Sequence, residues 1–193
     1  ALGGQMPKTA DKTYLQMKML NTAKGPGVQS LRAQADKKVY PRYMQEVLKK
    51  QENLDIIEGM VEDLIVEDNC VKGVILDNGQ TIEGRMVILT TGTYLKAEIL
   101  CGDQKHASGP DQQKESKYLS EKLANLGMRI QRLKTGTPPR VEINSVDYSK
   151  TSLQPGTDAN LAFSYQTNEF IPIEEQTPCY LTYTNEKTHQ IIR

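Results

Sequence analysis

The densest cationic run of the chain surrounds the stretch RLKTGTPPR, residues 132–140. Four basic side chains fall there without an intervening acid, namely Arg129, Arg132, Lys134 and Arg140. Such a run suits contacts with the phosphates of an RNA stem, which supply affinity but little sequence information. These four residues are therefore predicted to bind nucleic acid, with a solvated strand face as the competing interpretation.

Two adjacent prolines lie inside this run. Proline fixes φ at about −65° and pushes the residue before it towards extended geometry. Thr137, Pro138 and Pro139 should therefore form a stiff segment that presents Lys134 and Arg140 at fixed positions. A plain crossover between two domains is the alternative explanation for the same prolines.

The cysteines and histidines do not predict a catalytic or metal site. Cys70, Cys101 and Cys179 are odd in number and widely spaced, which favours reduced thiols over a disulfide framework. Cys179 lies in a strand-like stretch without the cation or helix N-terminus that lowers a thiol pKa, so a packed apolar thiol is favoured over a nucleophile. His106 and His189 have no Cys or His at ligand spacing.

Composition places few limits on function. The 193 residues include 24 basic and 24 acidic ones, so attraction to nucleic acid must come from a local patch. No apolar run approaches about 18 residues and no basic-then-apolar leader is present, so we expect a cytoplasmic protein without a membrane span. The length suits one domain or two small ones.

The first half of the chain reads as an α/β pattern. YLQMKML predicts a buried strand over 14–20, and apolar residues recurring every four positions predict a helix over 31–50, kinked or begun at Pro41. Turns at Asp68-Asn69 and at Asp77-Asn78-Gly79 predict a β-meander. Strands are expected at 54–59, within 60–82, and at 84–92. This is typical of a nucleotide-binding α/β domain with an antiparallel excursion, although G-x-G-x-x-G is absent.

The second half is less regular. A helix is predicted over 113–126, a strand over 128–134, a further strand over 179–184 and then a helix capped by Asn185. Residues 144–177 are polar and turn-rich and predict no definite element. The composition changes after Gly92, which places a domain boundary near residues 93–100.

In this order, several stretches make the chain resemble the bacterial MnmG/GidA family of tRNA wobble-uridine modification flavoproteins. They are LNTAKGPGVQSLRAQADK, VEDLIVEDNCVKGV, VILTTGTYL, RLKTGTPPR and PCYLTYTNEKTHQIIR. The resemblance implies an α/β chain with part of a two-dinucleotide-binding-domain flavoprotein fold. Residues 1–98 would be a partial FAD-binding domain with the β-meander, and residues 99–193 an α+β inserted domain that faces NADH or tRNA and returns towards the FAD domain.

The resemblance also implies an enzyme. Members add a carboxymethylaminomethyl or aminomethyl group at C5 of uridine 34 in tRNA, with FAD, NADH, the GTPase MnmE, and methylene-tetrahydrofolate as carbon donor, and a homodimer in a larger complex is expected. The family's Gly-rich FAD loop and functional cysteines would lie outside this chain, so the chain alone is expected to be an inactive internal portion without flavin. A generic FAD oxidoreductase and a non-catalytic tRNA-binding module are the alternatives.

Four positions match cofactor contacts of that family. Val61 would offer its main chain to FAD, although a strand valine also packs a core. Thr91 and Gly92 would lie near FAD, although Gly92 also suits a simple strand end. Ser116 would contact FAD, although a hydroxyl in the first turn of a helix also serves its own backbone.

Overall fold

The structure, a computed structural model, describes residues 3–193. The α-helices in this range are α1 (Gln5–Thr13), α2 (Val39–Lys49), α3 (Leu119–Asn125) and α4 (Glu186–Ile192). The strands are β1 (Tyr14–Leu20), β2 (Ser30–Ala35), β3 (Val61–Glu67), β4 (Cys70–Leu76), β5 (Thr81–Glu83), β6 (Glu98–Cys101), β7 (Gln104–Ala107), β8 (Ser152–Gln154) and β9 (Cys179–Leu181). They form small antiparallel sheets in the orders β1–β2, β3–β4–β5, β6–β7 and β8–β9.

The described chain divides into two compact units. The first combines the part up to Asp55 with Pro139–Arg193, so that α1, α2, β1, β2, β8, β9 and α4 belong together. The second is Ile56–Pro138, which contains β3 to β7 and α3. Each unit has a small buried core of its own.

The first unit is organised around strand β1. Its Tyr14 and Met17 side chains are buried, and one of its edges pairs with β2. The other edge is closed by side chains and loops instead of a strand. Gln176 Oε1 accepts from Met17 N–H at 3.0 Å, and Thr157 Oγ1 accepts from Met19 N–H at 2.9 Å. The backbone groups of β1 are therefore satisfied on both sides, as a buried strand requires.

The second unit is built on the predicted β-meander, which is confirmed. Asp68 and Asn69 both have positive φ, at 48° and 62°, in the two-residue turn between β3 and β4. This conformation matches the twist of a hairpin and is tolerated well by Asp and Asn. Helix α3 packs against β3 and buries Leu119 and Leu123.

Two further predictions, one near each end of the chain, are confirmed. The strand predicted over 14–20 is β1. Asn185 is the N-cap of α4, with its side chain accepting from Thr188 N–H at 3.0 Å. The strand predicted over 179–184 is present only as Cys179–Leu181. A short helix, α1, was not predicted.

The helix predicted over 31–50 is wrong in its first part. Ser30–Ala35 is strand β2, because Leu31, Ala33 and Ala35 alternate with polar residues and so place one face inward. Helix α2 starts only after Asp36, whose carboxylate accepts from the N–H groups of the next turn. Pro41 lies in the first turn of α2, where the missing N–H has no helical partner to lose.

The strands predicted at 54–59, 84–92 and 128–134 are absent from the described residues, because no neighbouring strand pairs with these segments. Met86 and Ile88 are each 86% exposed. The helix predicted over 113–126 is shortened to α3, because the residues before it run extended and one of them, Ser116, bridges to Leu95. An apolar run predicts a strand only where a partner edge exists.

Within residues 3–193, no helix combines the length and apolarity needed to span a bilayer. No three His, Cys, Asp or Glu side chains in that range converge in a way that would hold a metal ion. Cys70 and Cys101 are exposed thiols, and Cys179 is a half-buried one whose Sγ donates to Gln16 Oε1 at 3.5 Å.

Candidate functional site

The four predicted cofactor contacts meet in the second unit through Tyr94. The carbonyl of Thr91 accepts from Tyr94 N–H at 3.1 Å, which closes a turn around Gly92. The carbonyl of Tyr94 in turn accepts from Ser116 N–H at 2.9 Å. Ser116 Oγ donates to the carbonyl of Val61 at 3.3 Å. Residues distant in sequence are thereby joined into one continuous hydrogen-bonded cluster, called here the Tyr94 cluster.

Ser116 is the centre of the Tyr94 cluster. It is 7% exposed and forms a parallel bridge with Leu95, completed by Lys96 N–H donating to the Ser116 carbonyl at 2.8 Å. The expectation that it lies in the first turn of a helix is wrong, because α3 begins at Leu119. Its hydroxyl instead orients the main chain of Val61, the first residue of β3.

Gly92 is required by the turn that it occupies. Its φ is +55°, in the left-handed region that disfavours residues with a side chain. An added Cβ would make an ordinary contact, 3.8 Å from Tyr94 Cδ2, and Gly92 is exposed. The Gly92 backbone is therefore available for close approach by another group.

Tyr94 itself was not predicted from the sequence. Its ring lies against Gly109, where an added Cβ would be 2.6 Å from Tyr94 Cδ1. Its hydroxyl donates to Gln113 Oε1 at 2.7 Å, and Gly109 N–H donates to the Gln113 carbonyl at 2.8 Å. The G-P pair in ASGPDQQ signals a turn, but nothing in the spacing indicates which ring the glycine would contact.

Ser120 in α3 carries a buried polar atom that has no partner. The residue is 7% exposed, and its Oγ forms no hydrogen bond with any described part of the chain. Leaving a buried hydroxyl unpaired costs about 1–3 kcal/mol. Ser120 follows Leu119 and lies four residues after Ser116 in the sequence. Its hydroxyl is therefore an unused donor and acceptor close in sequence to the Tyr94 cluster.

Ion pairs hold α3 in place beside the cluster. Lys122 Nζ lies 2.8 Å from Asp63 Oδ2 on β3, which lowers the pKa of the Asp63 carboxyl and raises the pKa of Lys122. Lys96 Nζ lies 2.6 Å from Glu121 Oε1, and this hydrogen bond lowers the pKa of Glu121. Both pairs are accessible to solvent and so stabilise modestly.

The predicted nucleic-acid residues are not all equivalent. Both terminal nitrogens of Arg132 donate to the Lys96 carbonyl at 3.2 Å, and Arg132 Nη1 lies 3.7 Å from Glu98 Oε2. Glu98 has a lowered pKa, chiefly because Lys105 donates to it at 3.0 Å. Arg132 is therefore anchored to the β6 region, which its sequence context did not indicate.

The other three predicted cations are exposed. Arg129 and Lys134 belong to the second unit with Arg132, whereas Arg140 belongs to the first. None of these three side chains forms an ion pair with a residue in the range 3–193. They remain open to an external anion.

Fold and site together define a mixed α/β protein, whose second unit combines a β-meander and the short helix α3 with the hydrogen-bonded Tyr94 cluster. The family model of glucose inhibited division protein A matches residues 1–193. The chain belongs to that family, and the predicted MnmG/GidA resemblance is confirmed.

Curated relatives carry a functional name. The tRNA uridine 5-carboxymethylaminomethyl modification enzyme MnmG of Geobacillus kaustophilus is 55% identical over 192 residues, which cover 100% of this chain and 30% of that protein. The enzyme of the same name from Bacillus subtilis is 52% identical over 192 residues, with the same coverage. This chain thus spans about 30% of the length of the curated relatives that it matches.

A solved structure is also similar. The form I crystal structure of Aquifex aeolicus GidA superposes with a TM-score of 0.89 at 42% sequence identity. The match covers 99% of this chain and 33% of that one. The fold of each unit therefore has a counterpart in an experimentally solved protein.

Proposed function

We propose that the full-length protein containing this chain modifies the wobble uridine of tRNA, adding a carboxymethylaminomethyl or aminomethyl group at C5 of uridine 34. The observation that carries this proposal is the 52–55% identity, over the whole chain, to enzymes named for uridine 5-carboxymethylaminomethyl modification. Identity at that level over all of both units favours retention of the same substrate class.

We further propose FAD as the cofactor and NADH as its reductant. The Tyr94 cluster would suit a flavin contact, because Gly92 is exposed and Ser120, four residues after Ser116 in the sequence, has a hydroxyl without a partner among residues 3–193. Val61, Thr91 and Gly92 would offer main-chain groups, and Ser116 would hold the Val61 main chain in orientation. Bound FAD supplies hydride chemistry there, while the protein supplies binding and orientation.

Phosphates of tRNA are the proposed partners of the cationic run. A guanidinium has five N–H donors, so Arg132 retains donors beyond the two bonds to the Lys96 carbonyl. Arg129 and Lys134 lie in the same exposed segment of the second unit. Arg140 is the fourth proposed phosphate contact.

The remaining parts of the proposal concern assembly. MnmE would be the GTPase partner, methylene-tetrahydrofolate the carbon donor, and the enzyme a cytoplasmic homodimer within a larger complex. Residues 1–98 would belong to the FAD-binding domain and residues 99–193 to the inserted domain. The chain alone would be inactive.

Reconstitution tests this function. Purified full-length protein is combined with FAD, NADH, MnmE, GTP, methylene-tetrahydrofolate, an amine donor (glycine for the carboxymethylaminomethyl group or ammonium for the aminomethyl group) and an unmodified tRNA transcript, and nucleosides are analysed by mass spectrometry. We expect modified uridine in the complete mixture and none when FAD or the reductant is omitted. Turnover of NADH without any change in the tRNA would instead favour a generic flavin oxidoreductase.

A further inference from the structure

Two cations are held side by side on the β1–β2 ribbon. Lys18 and Arg32 are direct partners in the antiparallel register, so their side chains leave the same face of the sheet. Like charges placed directly opposite each other in a sheet are destabilising. The register therefore places two like charges opposite each other, an unfavourable arrangement that a neutral side chain at either position would remove.

The repulsion is not relieved by an acid. Neither Lys18 nor Arg32 forms an ion pair with any residue from 3 to 193. Other lysines in that range do meet a carboxylate, among them Lys12, Lys96, Lys105, Lys122 and Lys150. The Lys18–Arg32 pair thus differs from these lysines, because it forms no ion pair with a carboxylate in residues 3–193.

The ammonium of Lys18 is also fixed in position. Its Nζ donates to Gln154 Oε1 at 3.0 Å, which leaves two donors unused. The main chain of Gln154 is itself held, because its main-chain carbonyl accepts from Nε2 of the buried Gln16 at 3.0 Å. A neutral amide thereby orients the cation without neutralising it.

The loop that joins the two strands continues the positive character. Residues 18–32 carry three cations, Lys18, Lys24 and Arg32, and no acidic residue, in a chain whose total charge is zero. The loop is closed by Asn21, whose Nδ2 donates to the Val28 carbonyl at 2.9 Å. An ordered, uncompensated basic ribbon is the result.

We propose that the Lys18–Arg32 pair is a phosphate-binding site. A fixed ammonium next to a guanidinium suits a phosphate, which accepts from both and removes their repulsion. Phosphate groups would come to this protein from two sources, the tRNA backbone and a dinucleotide cofactor. The tRNA source rests on the proposed function, whereas the dinucleotide source requires only that a cofactor binds.

The test uses full-length protein with Arg32→Gln, and with Lys49→Gln on exposed α2 as the matched control. Three quantities are measured: the melting temperature, the flavin bound after purification, and the affinity for an unmodified tRNA transcript over a range of salt. We expect the melting temperature of Arg32→Gln to stay equal or rise, because the repulsion is gone, while phosphate binding weakens. Arg32→Lys, which keeps the charge but removes the guanidinium fork, should restore part of that binding.

The two sources give different results. If tRNA supplies the phosphate, the tRNA affinity falls and its logarithmic salt slope decreases by about one for each phosphate that is no longer bound, with flavin content unchanged. If the dinucleotide supplies it, flavin content falls and the salt slope stays the same.

Unchanged tRNA affinity and flavin content would overturn the site, and so would a lowered melting temperature with unchanged binding. A wild-type protein that binds flavin but never modifies tRNA would refute the proposed function and leave the flavin measurement to decide the site.

Discussion

The first unit holds more of its buried polar side chains in hydrogen bonds than the second unit does. In the first unit, buried groups such as Gln16, Gln176 and Asp11 form hydrogen bonds to segments distant in sequence. In the second unit, polar contacts such as Lys122 to Asp63 and the salt bridges of Glu98 and Glu121 lie at the surface. Buried hydrogen bonds fix geometry strongly, whereas exposed ion pairs contribute little and are screened by salt.

The first unit therefore acts as a scaffold, and the second unit carries the more adaptable surface. The first unit holds residues 154–177 against β1 through its buried network. The second unit leaves the stretches 85–93 and 127–138 without regular structure, with Arg132 as an anchor of the latter. We therefore expect the second unit, which carries the Tyr94 cluster and most of the cationic run, to open locally at lower free energy.

The largest loss of stability is expected for Gly156→Ala. An added Cβ would lie 2.4 Å from Gln176 Oε1 and 2.8 Å from the Met17 carbonyl, so it would displace the side chain that accepts from Met17 N–H. We expect the free energy of unfolding to fall by about 3 kcal/mol, from overpacking and the loss of a buried hydrogen bond. Urea denaturation measures it. Gly25→Ala, with φ −63° and nothing within 4 Å of the new Cβ, is the control and should change little.

A smaller loss is expected for Asp11→Asn. The buried carboxylate accepts from Phe163 N–H and Ser164 N–H at 2.9 Å and from Thr167 Oγ1 at 2.7 Å. An amide turns one acceptor into a donor that faces another donor, which should lower stability by about 2 kcal/mol. Thermal unfolding is the measurement, with the exposed Asp158→Asn as control. Equal effects of the two variants would remove the contrast between buried and surface polar groups.

A gain of stability is expected for Ser120→Ala in the unliganded protein. Removing the unpaired buried hydroxyl relieves a penalty, and we expect about 1 kcal/mol of stabilisation. Ser116→Ala is the matched variant and should destabilise, because it removes the bond to the Val61 carbonyl. Denaturant unfolding of both variants decides the point, and a destabilising Ser120→Ala would show that this hydroxyl has a protein partner.

The smallest effect concerns the pair between Asp63 and Lys122. Lys122 lowers the pKa of the Asp63 carboxyl in the folded protein. The pair therefore stabilises the fold at pH values above 3.8, the ordinary pKa of an aspartate, and this stabilisation is lost as the pH falls through the folded pKa. The raised pKa of Lys122 gives a second loss, as the pH rises from 10.5 through its folded pKa. Melting curves of Asp63→Asn should show a shallower acid decline than the wild type. Identical acid limbs would mean that the pair contributes nothing measurable.

Local signals in the sequence predicted the parts of the fold that depend on local chemistry. The meander followed from Asp68-Asn69 and Gly79, and α4 followed from Asn185, since turn and cap preferences act within a few residues. The four-residue recurrence from Ala35 to Val47 instead concealed the change from β2 to α2. Pairing with β1 makes residues 30–35 a strand and not a helix, and local spacing does not encode that pairing.

The candidate site was predictable only in part. Resemblance singled out Val61 and Ser116, and the structure joins them, but whether they contact a cofactor stays a prediction. The role of Tyr94 and the anchoring of Arg132 on the Lys96 carbonyl depend on contacts between separate segments. Residue type and spacing carry no information about such contacts.

The proposed modification of the wobble uridine is tested most directly in cells. Total tRNA is purified from a strain that lacks the full-length protein and from the same strain complemented with it, and position 34 is analysed by mass spectrometry. We predict loss of the carboxymethylaminomethyl or aminomethyl group at C5 in the deletion strain and its return on complementation. Full modification of uridine 34 without the protein would contradict the proposed function.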